Sequence, residues 1–421
     1  MTDAAWEQAT LGVKSHGGLG LRDARSLALS AFLASRIVAR PHVRELASHM
    51  EQCGLAASLQ IVEAFDKRTD MALSKLVSLL DMTTGGSLVD TLTSLADAAQ
   101  RQWDSLFDTD GEELVPERGV RTPAPPGLGA GLVPADEDGD PEHPESTTRT
   151  TTLHIQKTIY VVVDRRRSAS ILDALASEGD FSGIRRLQEL GHTENDHSWL
   201  WALSKHKGPV LDAPDYIEGV RMRLGIAGPD EPVPCQLCGV VPFGGAGSHA
   251  HCCSRAQSTR GHNCVVRGLL AATTQCDPNA ELEARGLIPG TDLRPADVLT
   301  GCLNHGLTAL DVGIASPDAD AAAGTDCVAA MYSRKVEYYA PHRDALDRQN
   351  IEYQPVTWSA YGRPHPQTTA ILRTLATRLA RRRGCSDAEW RYRRLRAGLV
   401  TEIWRRGAKM VRSCWPDLEG D

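Results

Sequence analysis

The stretch that decides the fold begins with Cys235-Gln-Leu-Cys238 and continues with His249-Ala-His-Cys252-Cys253. Two cysteines separated by two residues can hold one ion from a single tight turn, and a histidine and a further cysteine complete a tetrahedral set. The pattern predicts a zinc site of the Cys-Cys-His-Cys type. If four protein ligands close it, the site is structural and carries no chemistry. A redox pair or an accidental cluster of cysteines is the alternative interpretation.

The spacing leaves the fourth zinc ligand open. Cys252 follows His249 after two intervening residues and Cys253 after three, and either could close the site. His251 is also near enough to substitute. The glycines between residues 239 and 247 permit the sharp backbone path that so small a site needs.

Downstream of the cysteines, two segments predict a β-hairpin that carries two carboxylates. Residues 294–300 and 308–316 are typical of strands, and the loop between them is rich in turn formers. If the hairpin centres near Asn304, Asp297 lies directly opposite Asp311, with Cβ atoms about 5 Å apart. Two like charges at that distance repel unless a cation lies between them.

A lysine is expected to reach this pair from the next helix. Residues 319–339 are rich in alanine and predict a helix on which Lys335 falls on the apolar face. Asp311 shares its strand face with Gly313 and Ala315, which leaves room for a metal or a phosphate. Carboxylates that bind Mg²⁺, with an ammonium beside them, suit phosphodiester hydrolysis. The alternative is an ordinary acid pair with a lysine that extends to solvent.

Composition sets the broad class of the protein. A chain of 421 residues with 41% hydrophobic residues is expected to fold into two to four structural units. The amino-terminal residues lack the pattern of a signal peptide, and no apolar run has transmembrane length, so we expect an intracellular protein without a membrane partner. Eleven cysteines then favour metal ligation over disulfides.

The organisation along the chain is expected to be mostly helical before the cysteines. Residues 19–106 show helical periodicity, whereas residues 108–152 are acidic and rich in Pro, Gly, Ser and Thr, which predicts a disordered linker. Residues 171–190 and 216–224 predict further helices. The tryptophans in Ser198-Trp-Leu-Trp201 are expected to anchor a core.

The carboxy-terminal end is strongly basic although the whole chain has a net charge of -8. Residues 372–412 carry thirteen Arg or Lys against three acids, a balance that attracts phosphate backbones. The alternative is a solvated pair of amphipathic helices whose arginines pair with acids elsewhere.

Taken together, these motifs resemble the carboxy-terminal part of a non-LTR retrotransposon polyprotein. That class has a zinc knuckle followed by a restriction-like endonuclease of the PD-(D/E)xK superfamily. The elements that carry the resemblance are the cysteine cluster, Gly261-His-Asn263, Pro295-Ala-Asp297, Asp311, and Lys335 with Tyr338 and Tyr339. Weaker similarity extends to residues 17–35 and to Trp404-Arg-Arg-Gly-Ala-Lys-Met410.

The resemblance implies an α+β fold with five regions. A helical region like the part that follows the reverse-transcriptase palm would cover residues 1–107, and the linker 108–152. A second helical region would cover residues 153–229 and the zinc knuckle 230–265. A restriction-endonuclease-like α/β core with arginine-rich helices would occupy residues 266–421. No adjacent Asp-Asp pair occurs, so the chain lacks a polymerase active site.

The implied activity is metal-dependent nicking of target DNA. Asp297 and Asp311 would hold catalytic Mg²⁺, Lys335 would serve the phosphate and its attacking water, and zinc would be structural. The partners would be target DNA and the RNA of the element, and the location the nucleus. The residues expected to contact nucleic acid are Arg260, His262, Arg381, Arg382, Arg383, Arg405, Arg406 and Lys409. The rival functions are a catalytically inactive nucleic-acid-binding module and a zinc-stabilised interaction scaffold.

Overall fold

A computed structural model describes most of the chain. The described residues are 3–22, 24–55, 58–79, 86–104, 155–202, 210–229, 233–241, 246–253, 255–256, 258–304, 306–319, 325–384 and 387–416. They form two compact units, one made of Met1–Asp23 with Asp164–Asp421 and the other of Ala24–Val163. The predicted linker, residues 108–152, lies outside the described residues.

The described residues form a mixed α+β, mostly helical structure with one small sheet. In chain order the helices are α1 (Asp3–Thr10), α2 (Val13–His16), α3 (Ala24–Gln52), α4 (Ser58–Leu79), α5 (Gly86–Asp104), α6 (Ile155–Glu178), α7 (Phe181–Leu190), α8 (Ala213–Leu224), α9 (Ala246–Cys252), α10 (Ser258–Thr274), α11 (Cys327–Tyr339), α12 (Arg343–Asp347), α13 (Pro366–Arg382) and α14 (Ala388–Cys414). The strands are β1 (Glu281–Leu282), β2 (Val298–Thr300), β3 (Leu307–Ala315) and β4 (Ile351–Ser359).

The unit of residues 24–163 is a helical assembly. Its core joins apolar residues of α3, α4 and α5 with those of the first turns of α6. Leu33 of α3, Leu76 of α4 and Ile159 of α6 are fully buried in this core. This agrees with the helical periodicity predicted for residues 19–106.

In the larger unit, two details differ from what the sequence predicted. The predicted helix 171–190 is divided into α6 and α7, because Gly179 adopts a left-handed backbone (φ 73°) and Asp180 then caps α7. Trp199 is fully buried and stacks on Trp404, but Trp201 is 55% exposed. Only the first of the two tryptophans anchors the core.

The sheet has the order β1-β2-β3-β4. The first three strands run antiparallel, and β4 lies parallel to β3 after the chain crosses over through α11. The hairpin register pairs Val298 with Leu310 and Thr300 with Thr308, which is the predicted register centred on Asn304. Strand β2 begins four residues later than expected.

Helices cover both faces of β3. Leu310 and Val312 belong to the main core, which also holds apolar residues of α10, α13 and α14. Ala315 on the opposite face packs against Val328 and Met331 of α11. Because side chains alternate along a strand, Asp311 faces the α11 side. The predicted helix 319–339 is shorter than expected: α11 begins after Asp326, whose side chain accepts hydrogen bonds from the N–H groups of Val328 and Ala329.

Candidate functional site

Four of the predicted zinc ligands converge in one cluster. The ligand atoms of Cys235, Cys238, His249 and Cys253 all lie within 4.8 Å of one another. Cys235 Sγ is 4.0 Å from Cys253 Sγ, and Cys238 Sγ is 3.4 Å from His249 Nε2. Tetrahedral zinc with ~2.3 Å bonds to sulfur separates two sulfurs by roughly 3.8 Å. The set of three sulfurs and one nitrogen therefore suits a metal such as zinc.

Local backbone geometry brings these ligands together. The turn after Cys235 closes with hydrogen bonds from the N–H of Gly239 to the carbonyl of Cys235 and from the N–H of Cys235 to the carbonyl of Val240. Gly239 adopts φ 77°, which favours glycine. Burial opposes ionisation of Cys235, but nearby N–H groups and His249 outweigh it and lower the pKa of the thiol to about 6. A thiol that ionises readily is a good metal ligand.

Of the two adjacent cysteines, the structure places Cys253 in the cluster. Cys253 is buried and follows α9, with its N–H bonded to the carbonyl of His249. Cys252 is exposed and lines a neighbouring cleft together with His251, and neither residue is one of the four whose ligand atoms cluster. A neighbour that the spacing did not reveal is Cys414, whose pKa is raised by burial and by Cys235.

The two aspartates of the hairpin lie side by side, each with different partners. Asp297 Oδ2 accepts a 2.7 Å hydrogen bond from the N–H of Val312 and lies 3.3 Å from His262 Nε2. Asp311 Oδ1 lies 2.6 Å from Lys335 Nζ, and its Oδ2 accepts a 2.6 Å hydrogen bond from the hydroxyl of Tyr353. The sequence had predicted the lysine at this place but not the tyrosine.

The partners push the pKa values of the two carboxyls apart. Burial raises the pKa of Asp311, and the negative charge of Asp297 adds to that effect although Lys335 and Tyr353 oppose it. Burial also opposes ionisation of Asp297, but His262 and the N–H of Val312 outweigh it and lower its pKa. The pKa of His262 is raised, since Asp297 outweighs the effect of burial. Carboxyls with such different environments are common at functional sites.

Around Asp311 there is a cleft of about 550 Å³. Its lining brings together charged and aromatic side chains from the sheet, α10, α11 and α14. They include His262, Asp311, Arg334, Lys335, Tyr338 and Arg406. Gly313 lies beneath Lys335: a Cβ atom there would come within 2.7 Å of Lys335 Cε and 3.1 Å of Met331 Cγ. The absence of a side chain at Gly313 therefore makes room for the lysine.

Tyr353 reaches Asp311 because β4 lies parallel to β3. The register pairs Ala309 with Tyr353 and Asp311 with Pro355, so Tyr353 lies one strand over on the same face of the sheet. Alternation within residues 351–359 was the signal that could have placed Tyr353 on this face. The pairing itself depends on a crossover that local sequence does not encode.

The residues expected to contact nucleic acid divide into three groups. Arg381, Arg382 and Arg383 are exposed at the end of α13, where Arg382 donates to the carbonyl of Cys276. Arg405 and Lys409 lie 3.8 and 3.9 Å from the buried carboxylate of Asp215.

Arg405 also pairs with Glu402. For Arg405 and Lys409, the structure therefore agrees with the alternative interpretation, in which the basic residues of this end pair with acids of the same chain. Arg406 and His262 line the cleft, and the side chain of Arg260 lies outside the described residues.

Comparison of the chain with protein-family models, with curated proteins and with solved structures finds no match. None of the described helices has the length and apolar character needed to cross a membrane.

Proposed function

We propose that the chain is a metal-dependent DNA endonuclease module of a retroelement-derived protein, which nicks target DNA in the nucleus. The observation that carries the proposal is the position of Asp311 and Lys335 at one cleft, next to Asp297, which contacts the cleft residues His262 and Val312. Asp311 lies on β3, Asp297 directly precedes β2, and the ammonium comes from the helix that crosses between β3 and β4. A restriction-endonuclease-like core, with zinc as a structural ion beside it, is part of this proposal.

The acidic pair fits a hard dication. The two carboxylates are mostly buried, and each repels the charge of the other, so a divalent cation between them would relieve that repulsion. Oxygen ligands of this kind are those that Mg²⁺ prefers. Bound by Asp297 and Asp311, Mg²⁺ would lower the pKa of a water and polarise a phosphate oxygen.

The protein groups around the pair have separate tasks. Lys335 neutralises Asp311 at rest, and next to a bound phosphate its ammonium would offset the charge that develops during hydrolysis. Tyr353 holds Asp311 by a hydrogen bond, and His262 holds Asp297. Such orienting contacts keep ligands in the geometry that a metal requires.

The nucleic-acid partner would be held mainly through its phosphates. The exposed Arg381–Arg383 segment and the cleft arginines supply positive charge, and phosphate contacts carry little sequence information of their own. Target DNA is the proposed substrate, with the RNA of the element as a second partner.

The proposal is tested by nicking of supercoiled plasmid in Mg²⁺. Wild type is expected to convert plasmid to the open circle, and Asp311→Ala and Lys335→Ala are expected to lose at least 100-fold in rate, the scale seen when one group that stabilises transition-state charge is removed. The controls are Asp292→Ala, at an exposed acid of the segment before β2, and Glu337→Ala, at an exposed residue of α11, the helix that carries Lys335. Nicking that persists in both cleft variants would refute the assignment.

One observation favours the inactive module as a second candidate. Both oxygens of Asp311 are engaged by Lys335 and Tyr353, so a metal must compete with these partners. DNA binding that weakens with salt, with no cleavage in Mg²⁺ or Mn²⁺, would support this function instead.

A further inference from the structure

Arg406 is a buried cation that has no counter-ion among the described residues. It is 8% exposed, and its Nε has no hydrogen-bond partner among the described residues. No carboxylate of the described chain lies within ion-pair distance of its guanidinium, although Arg405 beside it is paired with Asp215 and Glu402. Burial lowers the pKa of Arg406 only to about 10, so the group stays charged at neutral pH.

A buried charge that lacks a partner is costly, and proteins keep such charges where a ligand supplies the partner. Arg406 lines the cleft that contains Asp311 and Lys335. Because Lys335 is already paired with Asp311, the charge of Arg406 is in excess. A ligand that balances this charge would therefore be an anion.

A second arginine lines the same cleft. Arg334 extends from α11 one residue before Lys335, and the acceptor of its Nη2 is the sulfur of Met331 at 2.9 Å, a weak acceptor. Like Arg406, it has no carboxylate partner in the part of the chain that the structure describes. Two guanidinium groups on one cleft match the oxygens of a phosphate, which accepts bidentate hydrogen bonds.

The cleft continues past Arg334 into a second one of about 410 Å³. The two share Ile314, Met331 and Arg334, and the second reaches His251 and Cys252 beside the zinc cluster. Within the described part of the chain, neither ring nitrogen of His251 has a hydrogen-bond partner, although its side chain is buried. The acid that lines this second cleft, Asp318, is paired with Arg185 at 2.9 Å and so does not neutralise Arg334.

We propose that Arg406 and Arg334 form a phosphate-binding subsite, separate from the aspartate pair, that receives the phosphodiester next to the one that is cleaved. The continuous cleft gives the strand a path from Lys335 along α11 toward the zinc cluster. The assignment to a nucleic-acid strand rests on the proposed function, whereas phosphate binding itself does not. Free phosphate and a backbone phosphodiester share the chemistry that the two arginines recognise.

The experiment compares inorganic phosphate with chloride at equal ionic strength. The zinc-loaded full chain is used, without Mg²⁺, and the thermal midpoint is followed as a function of phosphate concentration. Phosphate is expected to stabilise wild type. Arg334→Gln and Arg406→Gln are expected to weaken the apparent affinity at least tenfold, whereas Arg343→Gln, at an exposed arginine of α12, leaves it unchanged.

Because Arg406 is buried, its variant could fail to fold, and the exposed Arg334 then decides the test. Equal phosphate affinity in wild type and Arg334→Gln would overturn the subsite, as would wild type that binds no phosphate. In plasmid nicking, Arg334→Gln is expected to raise KM with little change in kcat. If wild type does not nick but the phosphate effect depends on both arginines, the subsite stands and the proposed function fails.

Discussion

Lys335 Nζ lies 2.6 Å from Asp311 Oδ1, and this contact joins α11 to the middle of β3. The lysine is only 20% exposed and the aspartate side chain 11%, so water screens the pair weakly. The same contact gives the fold an ion pair and gives the cleft a cation beside Asp311. Stability and the proposed chemistry are therefore coupled at one residue.

Removing the lysine should destabilise the metal-free protein. Lys335→Ala leaves Asp311 facing Asp297 without a cation, which we expect to lower the free energy of unfolding by about 1–3 kcal/mol. The measurement is urea unfolding of zinc-loaded protein without Mg²⁺, with Glu337→Ala as the control on the same helix. Added Mg²⁺ should reduce the difference. A deficit that Mg²⁺ leaves untouched would argue against metal binding at this pair.

A side chain at Gly313, beneath Lys335, should destabilise the protein. Gly313→Ala places a methyl group against Lys335 and Met331, so the lysine must move from Asp311 or the helix must shift. We expect a cost of about 1–3 kcal/mol in unfolding free energy and slower nicking. Gly301→Ala is the matched control, because a Cβ there meets its nearest atom at 3.7 Å. Equal stability of the two variants would contradict the packing described here.

The zinc ligands make a prediction that distinguishes two adjacent cysteines. Cys253→Ser is expected to lose bound zinc and to unfold at lower temperature, since a structural site needs all four ligands. Cys252→Ser should keep one zinc per chain. Zinc is measured by elemental analysis after gel filtration. Retention in Cys253→Ser together with loss in Cys252→Ser would mean that the cluster is closed by the other thiol.

The pair of His262 and Asp297 should give stability a definite pH window. The pKa of His262 is raised above 6.5, so its contribution is complete below that value and is lost as the pH rises through the folded-state pKa. The pKa of Asp297 is lowered below 3.8, so its contribution is complete above that value and is lost as the pH falls through the folded-state pKa.

Between pH 3.8 and pH 6.5, the free energy of unfolding of wild type should exceed that of His262→Gln by about 1 kcal/mol. The difference should shrink as the pH rises above 6.5, in zinc-loaded protein free of Mg²⁺. A difference that is constant from pH 5 to pH 8 would show that the imidazole acts only by packing.

The elements predictable from sequence are those that depend on local pattern. The hairpin register followed from turn formers around Asn304 and from alternation, and the place of Lys335 followed from helical spacing in α11. The choice between Cys252 and Cys253 as the fourth zinc ligand could not be made from spacing, which admitted both. It depends on the direction in which the chain at the end of α9 places each side chain. The prediction that residues 294–297 belong to β2 was wrong, since the strand begins at Val298.

Long-range packing decided the rest of the site. A count of arginines along residues 372–412 could not show that Asp215 would engage Arg405 and Lys409 and leave Arg406 to the cleft. Those partners are nearly two hundred residues apart along the chain, and only the packing of α14 against α8 brings them together. The restriction-like core and the nuclease activity remain proposals that rest on the site.

The central claim is that Asp297 and Asp311 hold one divalent ion. Electron paramagnetic resonance titration with Mn²⁺, which replaces Mg²⁺ at oxygen sites, tests it most directly in the zinc-loaded chain. We predict one Mn²⁺ bound by wild type and by Asp292→Asn, and at least tenfold weaker binding in both Asp297→Asn and Asp311→Asn. Mn²⁺ affinity that is the same in wild type and both variants, or no binding by wild type, would contradict the claim.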